Sequence, residues 1–251
     1  MLSDEEKFRF DLEGYLIIPG VLSLAECAQL SELSDAAWPQ QPHDGAFRRA
    51  AQVSLWGNNF SNLMDHPKVL PYLIDLIGPR ARLDHDYAIY MQRGAPSQPI
   101  HGGPMRYESD HWYHYNDGVM RNGLMVATWV LTDAKPGDGG FVCVPGSHKT
   151  NFINLLPEDA QSQDAMPEYV RQPAVNAGDV ILFTEALMHG TRAWQGSDER
   201  RVLLFKYSPP HSSWAKQGYD LNDYPDATAQ QRRLMAPPSV EDHAKVIDTK
   251  S

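Results

Sequence analysis

The chain has 251 residues, 42% hydrophobic and 22% charged, the balance of an ordinary folded body rather than a disordered or fibrous one. A formal net charge of -10 and an isoelectric point near 5.4 oppose the broad basic surface that a nucleic-acid polymer requires, while a local arginine can still hold a small anion. The length suits one domain over residues 1–251, and the longest apolar stretch, 125–131, is too short to cross a bilayer. Neither a membrane nor nucleic acid is expected as a partner; a small molecule is, and composition leaves the oligomeric state open. The N-terminal MLSDEEKFRFDLEG is charged where an export signal carries an apolar core. Cys27 and Cys143 are too few for a disulfide framework and lack the spacing of a zinc site. A cytoplasmic protein with two buried thiols is therefore expected.

Along the chain, GYLIIPGVL reads as a short strand, and Ser23 caps a helix over SLAECAQLSELSDAAW with Leu30 and Leu33 on one face. A second helix is predicted over 67–76, followed by a strand in RLDHDYAIYMQR. Residues 94–123 are rich in Gly, Pro, Asn, Asp and aromatics without sustained periodicity, a long loop of the kind that carries function. LMVATWVLTD reads as a strand buried on both faces, and KPGDGGFVCVPGSHK as a short strand between two turns. After an irregular stretch over 151–175 come a strand at 180–183, a loop holding His189, and a last strand in ERRVLLFKYSP. Residues 211–251 read as a loosely packed C-terminal extension. Short strands joined by Gly and Pro turns, with helices near the N-terminus, point to a β-barrel or β-sandwich with a helical cover.

The chain contains ten histidines. His101 follows Pro99 and precedes Gly102 and Gly103, and His189 lies just past an apolar strand and precedes Gly190. Two such residues on distant strands could bind one metal from neighbouring rungs of a barrel, although a lone histidine is more often a hydrogen-bonded structural residue.

The runs GYLIIPGVLS, TWVLTDAKPGDGGFVCVPGSHK and HGTRAWQGSDERRVLLFKYSP resemble, in that order and over residues 10–210, the phytanoyl-CoA dioxygenase family of iron(II)/2-oxoglutarate oxygenases. The resemblance implies a double-stranded β-helix, a jelly-roll of the cupin kind, with flanking N-terminal helices. It also implies Fe(II), 2-oxoglutarate and O2 as reactants, with His101 and His189 as two ligands of a two-histidine, one-carboxylate site. Arg200 then matches the arginine that pairs with the distal carboxylate of 2-oxoglutarate, since a guanidinium fork donates two parallel hydrogen bonds. Arg201 is the adjacent alternative, because strand alternation sends only one of the two inward. Trp129 is a candidate wall of the 2-oxoglutarate pocket, as is Trp194, with a core position as the alternative for both.

The family motif reads His-x-Asp, and this chain reads His101-Gly102-Gly103. Gly103 offers no ligand. Three readings follow. Gly103 leaves a position open to chloride, as in the iron/2-oxoglutarate halogenases whose carboxylate is replaced by a small residue, and this reading leads. In the second, Glu108, Asp110 or a water fills the gap and the enzyme hydroxylates. In the third, His111 or His114 is the ligand and His101 is structural. The halogenase likeness makes a nucleotide or another natural-product intermediate one plausible substrate. Arg106, Tyr107, His111, Tyr113 and His114 lie in the loop after the first histidine, where substrate contacts commonly sit. His148 reads as ordering its turn, and Asp86 as a weak candidate beside the co-substrate. A barrel that binds a small molecule without turnover, or a cupin-like metal isomerase or hydrolase, are the competing classes.

Overall fold

Two short sequence signals start the chain's first helices. Ser3 and Ser23 are each followed three residues on by a glutamate, Glu6 and Glu26, and both pairs form complete capping boxes, each worth on the order of 1 kcal/mol to its helix. The first opens α1 (Asp4–Glu13), which ends where Gly14 takes a left-handed φ of 81°. It is followed by β1 (Tyr15–Ile18) and by α2 (Leu24–Ala37), which the second box opens. On α2 the buried stripe is Cys27, Leu30 and Ser34; Leu33, expected beside Leu30, is 37% exposed. The computed structural model describes residues 1–38, 45–105, 110–240 and 244–245.

Next come β2 (Phe47–Ala51), the short helices α3 (Asn58–Ser61) and α4 (Leu70–Leu76), and then the long β3 (Arg82–Met91). The stretch expected as a loop over 94–123 contains β4 (Gln98–His101) and a hairpin of β5 (Tyr113–Asn116) and β6 (Val119–Asn122). Asp117 and Gly118 both have positive φ at its tip, as the tight turns of two-residue hairpins require. The remaining elements are β7 (Met125–Val130), β8 (Gly140–Cys143), α5 (Glu158–Ser162), β9 (Val180–Thr184), β10 (His189–Arg192), β11 (Arg200–Ser208) and α6 (Ala229–Leu234). None of the described helices is long and apolar enough to cross a membrane.

Six strands form one sheet in the order β1-β9-β7-β11-β3-β2, and three form a second in the order β4-β10-β8. Every pairing is antiparallel. This is the double-stranded β-helix, with a minority of helices covering the larger sheet. The period of two along each central strand divides the interior into two cores. On β7, Met125, Ala127 and Trp129 face the helices, while Val126 and Val130 face the space between the sheets. On β11, Leu203, Phe205 and Tyr207 face the helices, and Val202 and Leu204 the intersheet space. Both cysteines are buried and unpaired, as expected.

The C-terminal segment departs from expectation. Tyr224, Leu234 and Met235 are buried in the helix-side core, and polar anchors beneath them hold the segment down. Arg82 and Asp84, both essentially inaccessible, form an ion pair at 2.7 Å. Arg82 donates to the carbonyls of Ser212 and Ala236, and Asp84 accepts from the backbone N–H groups of Trp214 and Ala215. Asp86, considered above as a co-substrate contact, instead accepts from Ser54 and from the Tyr219 hydroxyl. Strand alternation puts Asp84 and Asp86 on the face of β3 opposite Tyr87 and Ile89, which line the intersheet cavity. The segment is short of apolar residues because its docking is polar.

Removing Asp84 strands a buried guanidinium and two N–H groups. Asp84→Ala is expected to cost about 3–5 kcal/mol, lowering the unfolding midpoint by roughly 10 °C, as differential scanning calorimetry would read. Burial alone would raise the Asp84 pKa, but His85, the two backbone donors and Arg82 together hold it below the usual carboxylate range. A depressed folded pKa gives stability that is present above the unfolded value near 4 and lost on acidification below it. The wild type is therefore expected to lose stability below about pH 4 more steeply than Asp84→Asn, measured by urea unfolding at each pH.

Candidate metal and anion site

β4 ends on His101 and β10 begins on His189, and the antiparallel register places the two residues directly opposite each other. Their ring centroids lie 4.5 Å apart. In each ring Nδ1 faces a backbone carbonyl, that of Pro99 at 2.9 Å for His101 and that of Leu187 at 2.7 Å for His189. A carbonyl only accepts, so Nδ1 carries the proton and the lone pair sits on Nε2. Burial pushes the His189 imidazolium pKa down to about 4, which keeps the ring in the neutral form that a metal binds. Gly102, with φ of 82°, lets the chain leave His101 sharply. A Cβ there would lie 2.8 Å from the carbonyls of both Glu185 and Leu187, so only glycine lets the β9–β10 turn close over this point.

Between the two sheets lies a cavity of about 380 Å³, reached by His101, His189 and the inward residues of β11, Arg200, Val202, Leu204 and Lys206. That volume is in the range of small-molecule sites. Arg200 is 5% exposed, and its guanidinium passes over Gly140, where a Cβ would come within 2.9 Å of Nε. Its one hydrogen-bond partner among the described residues is the Met91 sulfur, at 3.4 Å. None of the described carboxylates pairs with it. Burial lowers its pKa to about 10, so it stays charged near neutrality. Arg201, one residue on and therefore on the opposite face, binds Glu199 and Asp35, each at 2.8 Å. Of the two, only Arg200 faces the cavity. Thr128 of β7 also lines it, and its buried hydroxyl has no hydrogen-bond partner among the described residues.

Two charged residues at the cavity's other end escape a motif-based reading. Glu185, 3% exposed, sits in the turn between β9 and β10, and Lys206 of β11 donates to its Oε1 at 2.5 Å. Its Oε2 lies 3.8 Å from His189 Nε2 and 3.7 Å from His111 Nε2. Burial alone would raise the Glu185 pKa, but the charge of Lys206, then His189 and His111, bring it down to about 2. One sequence signal was available: in VILFTEALMHG, Glu185 is the lone charge of an apolar run and lies one short turn from His189.

The other candidates divide. His111 is buried beside Glu185 and stacks on Trp214, with centroids 5.0 Å apart and planes at 14°. Tyr113 turns away to donate to Asp11 and meets His148 edge-on, and His114 is exposed beside Trp112; neither lines the cavity. His148 is a buried ring in that same cluster, near Phe10. Trp129 is not a pocket wall: the parity that turns Thr128 into the cavity sends it to the helix-side core, against His66. Trp194 is buried with its indole N–H on the Asp198 carbonyl. Asp110 directs its carboxylate to the Ser208 hydroxyl, not to the histidine pair. Arg106, Tyr107 and Glu108 lie outside the described residues. Gly103 has φ of 99°, and a Cβ there would meet Ile153 at 2.9 Å and Met188 at 3.3 Å. The missing side chain of position 103 therefore points at a packed apolar wall, Ile153 and Met188, which does not line the cavity. As the side chains stand, no three described His, Cys, Asp or Glu residues converge at metal-binding distance.

The donor set nevertheless fits an iron/2-oxoglutarate site: two imidazoles whose Nδ1 atoms are taken by backbone carbonyls and whose rings line one cavity, and a buried cation without a counter-ion among the described residues. HygX from Streptomyces hygroscopicus, solved with nickel, 2-oxoglutarate and hygromycin B bound, is 28% identical, with a TM-score of 0.75 over 84% of this chain and 89% of that one. The ectoine dioxygenase of Stutzerimonas stutzeri is 23% identical over 231 residues, 80% of this chain and 74% of its own. EctD from S. alaskensis, 20% identical with a TM-score of 0.66 over 83% of this chain and 78% of that one, shares the fold. The phytanoyl-CoA dioxygenase family model matches residues 10–202. The chain belongs to the phytanoyl-CoA dioxygenase family and is an oxygenase of the iron(II)/2-oxoglutarate type.

Proposed function

We propose that the enzyme hydroxylates a C–H bond of a small polar molecule, with Fe(II) held by His101 and His189 and 2-oxoglutarate anchored by Arg200. The observation that carries this reading is Arg200: a buried cation without a described carboxylate partner, in the cavity that the two histidines enter. Leaving a charge unpaired in a protein interior is costly unless a ligand completes it. Thr128, its hydroxyl equally unpartnered, would add a hydrogen bond to the same carboxylate. Bound iron supplies the activation of O2, and the balanced reaction takes R–H, O2 and 2-oxoglutarate to R–OH, succinate and CO2. The protein's own part is to orient: the Pro99 and Leu187 carbonyls fix the imidazole tautomers, and the rings of Phe141 and Phe183 pack beside His189.

The relatives, ectoine dioxygenases and a protein solved with hygromycin B bound, favour a soluble, hydrogen-bonding substrate over a lipid; a nucleotide belongs to the same broad class. Chlorination is the weaker reading, because the side-chain direction at Gly103 is occupied by Ile153.

Three outcomes test this. Anaerobic addition of Fe(II) and 2-oxoglutarate to the protein is expected to give a visible charge-transfer band, and with oxygen, succinate; no band and no succinate with any polar substrate tried would leave only a binding barrel. Arg200→Met is expected to weaken 2-oxoglutarate binding by about 100-fold, on the order of 3 kcal/mol for one partner of a buried charge pair, with the Fe(II) affinity little changed. Chloride is expected to leave the band unmoved, and Gly103→Asp to cost about 2 kcal/mol in thermal unfolding through strain and crowding. A chloride-dependent band shift would restore the halogenase reading.

A further inference from the structure

The family motif's carboxylate is missing at position 103, yet a buried carboxylate stands beside the histidine pair. We propose that Glu185, from the β9–β10 turn, is the third protein ligand of the iron, taking the place of the residue absent from the first motif. The inference rests on the proposed function and adds to it the identity of this ligand.

Three observations converge on Glu185. Its Oε2 lies 3.8 Å from His189 Nε2, the atom that carries the histidine's free lone pair. The two oxygens are unequally used: Oε1 takes the Lys206 ammonium at 2.5 Å, whereas Oε2 accepts no hydrogen bond among the described residues and points towards the nitrogens of His189 and His111. The turn that carries Glu185 is also pinned. Its own N–H donates to the Leu124 carbonyl at 2.9 Å, and the missing side chain of Gly102 brings its carbonyl against the residue after His101. Donors bound about 2.1 Å from one metal at right angles stand about 3 Å apart. Closing 3.8 Å to that distance takes a small rotation of a flexible glutamate, well within side-chain freedom.

The other carboxylate available to this role in the described chain is turned elsewhere: Asp110 is held by Ser208. A carboxylate supplied by Glu185 makes the site a two-histidine, one-carboxylate set of the kind that suits non-haem Fe(II). It does so from the loop that already carries the distal histidine, which frees positions 102 and 103 to be the glycines that the close chain crossing demands. Lys206 then acts on the free oxygen, orienting the carboxylate and balancing its charge.

Isothermal titration with Co(II) and the visible d–d spectrum of the Co(II) protein test this. Glu185→Gln is expected to weaken Co(II) binding by more than about 100-fold, beyond the roughly 10- to 100-fold loss typical of an outer-shell partner, and to change the d–d bands. Because Glu185→Gln also leaves Lys206 unpaired, the double variant Glu185→Gln/Lys206→Met is made alongside it. If Glu185 is only the counter-ion of Lys206, the double variant recovers wild-type Co(II) affinity and spectrum, and the proposal falls. If it is a ligand, the double variant stays as weak as Glu185→Gln, while Lys206→Met alone loses only the roughly 10- to 100-fold typical of an outer-shell partner. Wild-type-like Co(II) binding by Glu185→Gln overturns the ligand assignment alone. Absence of Co(II) and Fe(II) binding by the wild type overturns both it and the proposed function.

Discussion

The period-two alternation of β11 is the constraint on which the site and the core jointly depend. This strand pairs with β7 on one side and β3 on the other, so its register fixes what both neighbours present. One face delivers Arg200, Val202, Leu204 and Lys206 to the intersheet cavity; the other delivers Leu203, Phe205 and Tyr207 to the helix-side core. A slip of one residue would exchange the two sets, burying Arg201 and Lys206's neighbours in the wrong environments. Packing and function are thus specified by the same parity, which makes the strand's register strongly determined.

The same parity explains what could be read from the sequence. His101 and His189 were legible because each is followed by glycine at a strand end, and because the runs around them carry a family pattern. That Arg200 rather than Arg201 faces inward follows only once a strand neighbour is placed. Trp129 could not be assigned from periodicity, since β7 is apolar on both faces and an unbroken buried run has no period-two signal. The docking of the C-terminal segment is hidden in the sequence for the opposite reason. It docks through Arg82, Asp84 and Asp86, and buried polar anchoring leaves no apolar periodicity to detect. Glu185 escapes the family motif because that motif carries its carboxylate beside the first histidine, whereas the fold brings one from the turn before the second.

The docked C-terminal segment matters beyond stability. Asp84 fixes the backbone at Trp214 and Ala215, and that places the Trp214 ring flat against His111, which in turn borders Glu185. A chain of packed and hydrogen-bonded groups therefore runs from the outer face of β3 to the edge of the site. The residue beside Glu185 is held from outside the barrel, by a segment whose described residues form no β-strand.

The interior charges make sense only together. Lys206 and Glu185 form a buried pair at one end of the cavity, while Arg200 stands at the other without a described anion. A hydrophobic replacement of such groups commonly stabilises a fold, so a cavity optimised for stability alone would not contain them. The two ends also differ in kind. At the Arg200 end the protein supplies charge and lacks an acceptor, which suits the carboxylate of a dianion. At the Glu185 end it supplies an acceptor beside two imidazole lone pairs, which suits a cation. A cavity with an anion-seeking end and a cation-seeking end, bridged by the inward face of a single strand, matches a bidentate organic acid bound to a metal, and it does so whether or not the first motif retains its usual carboxylate.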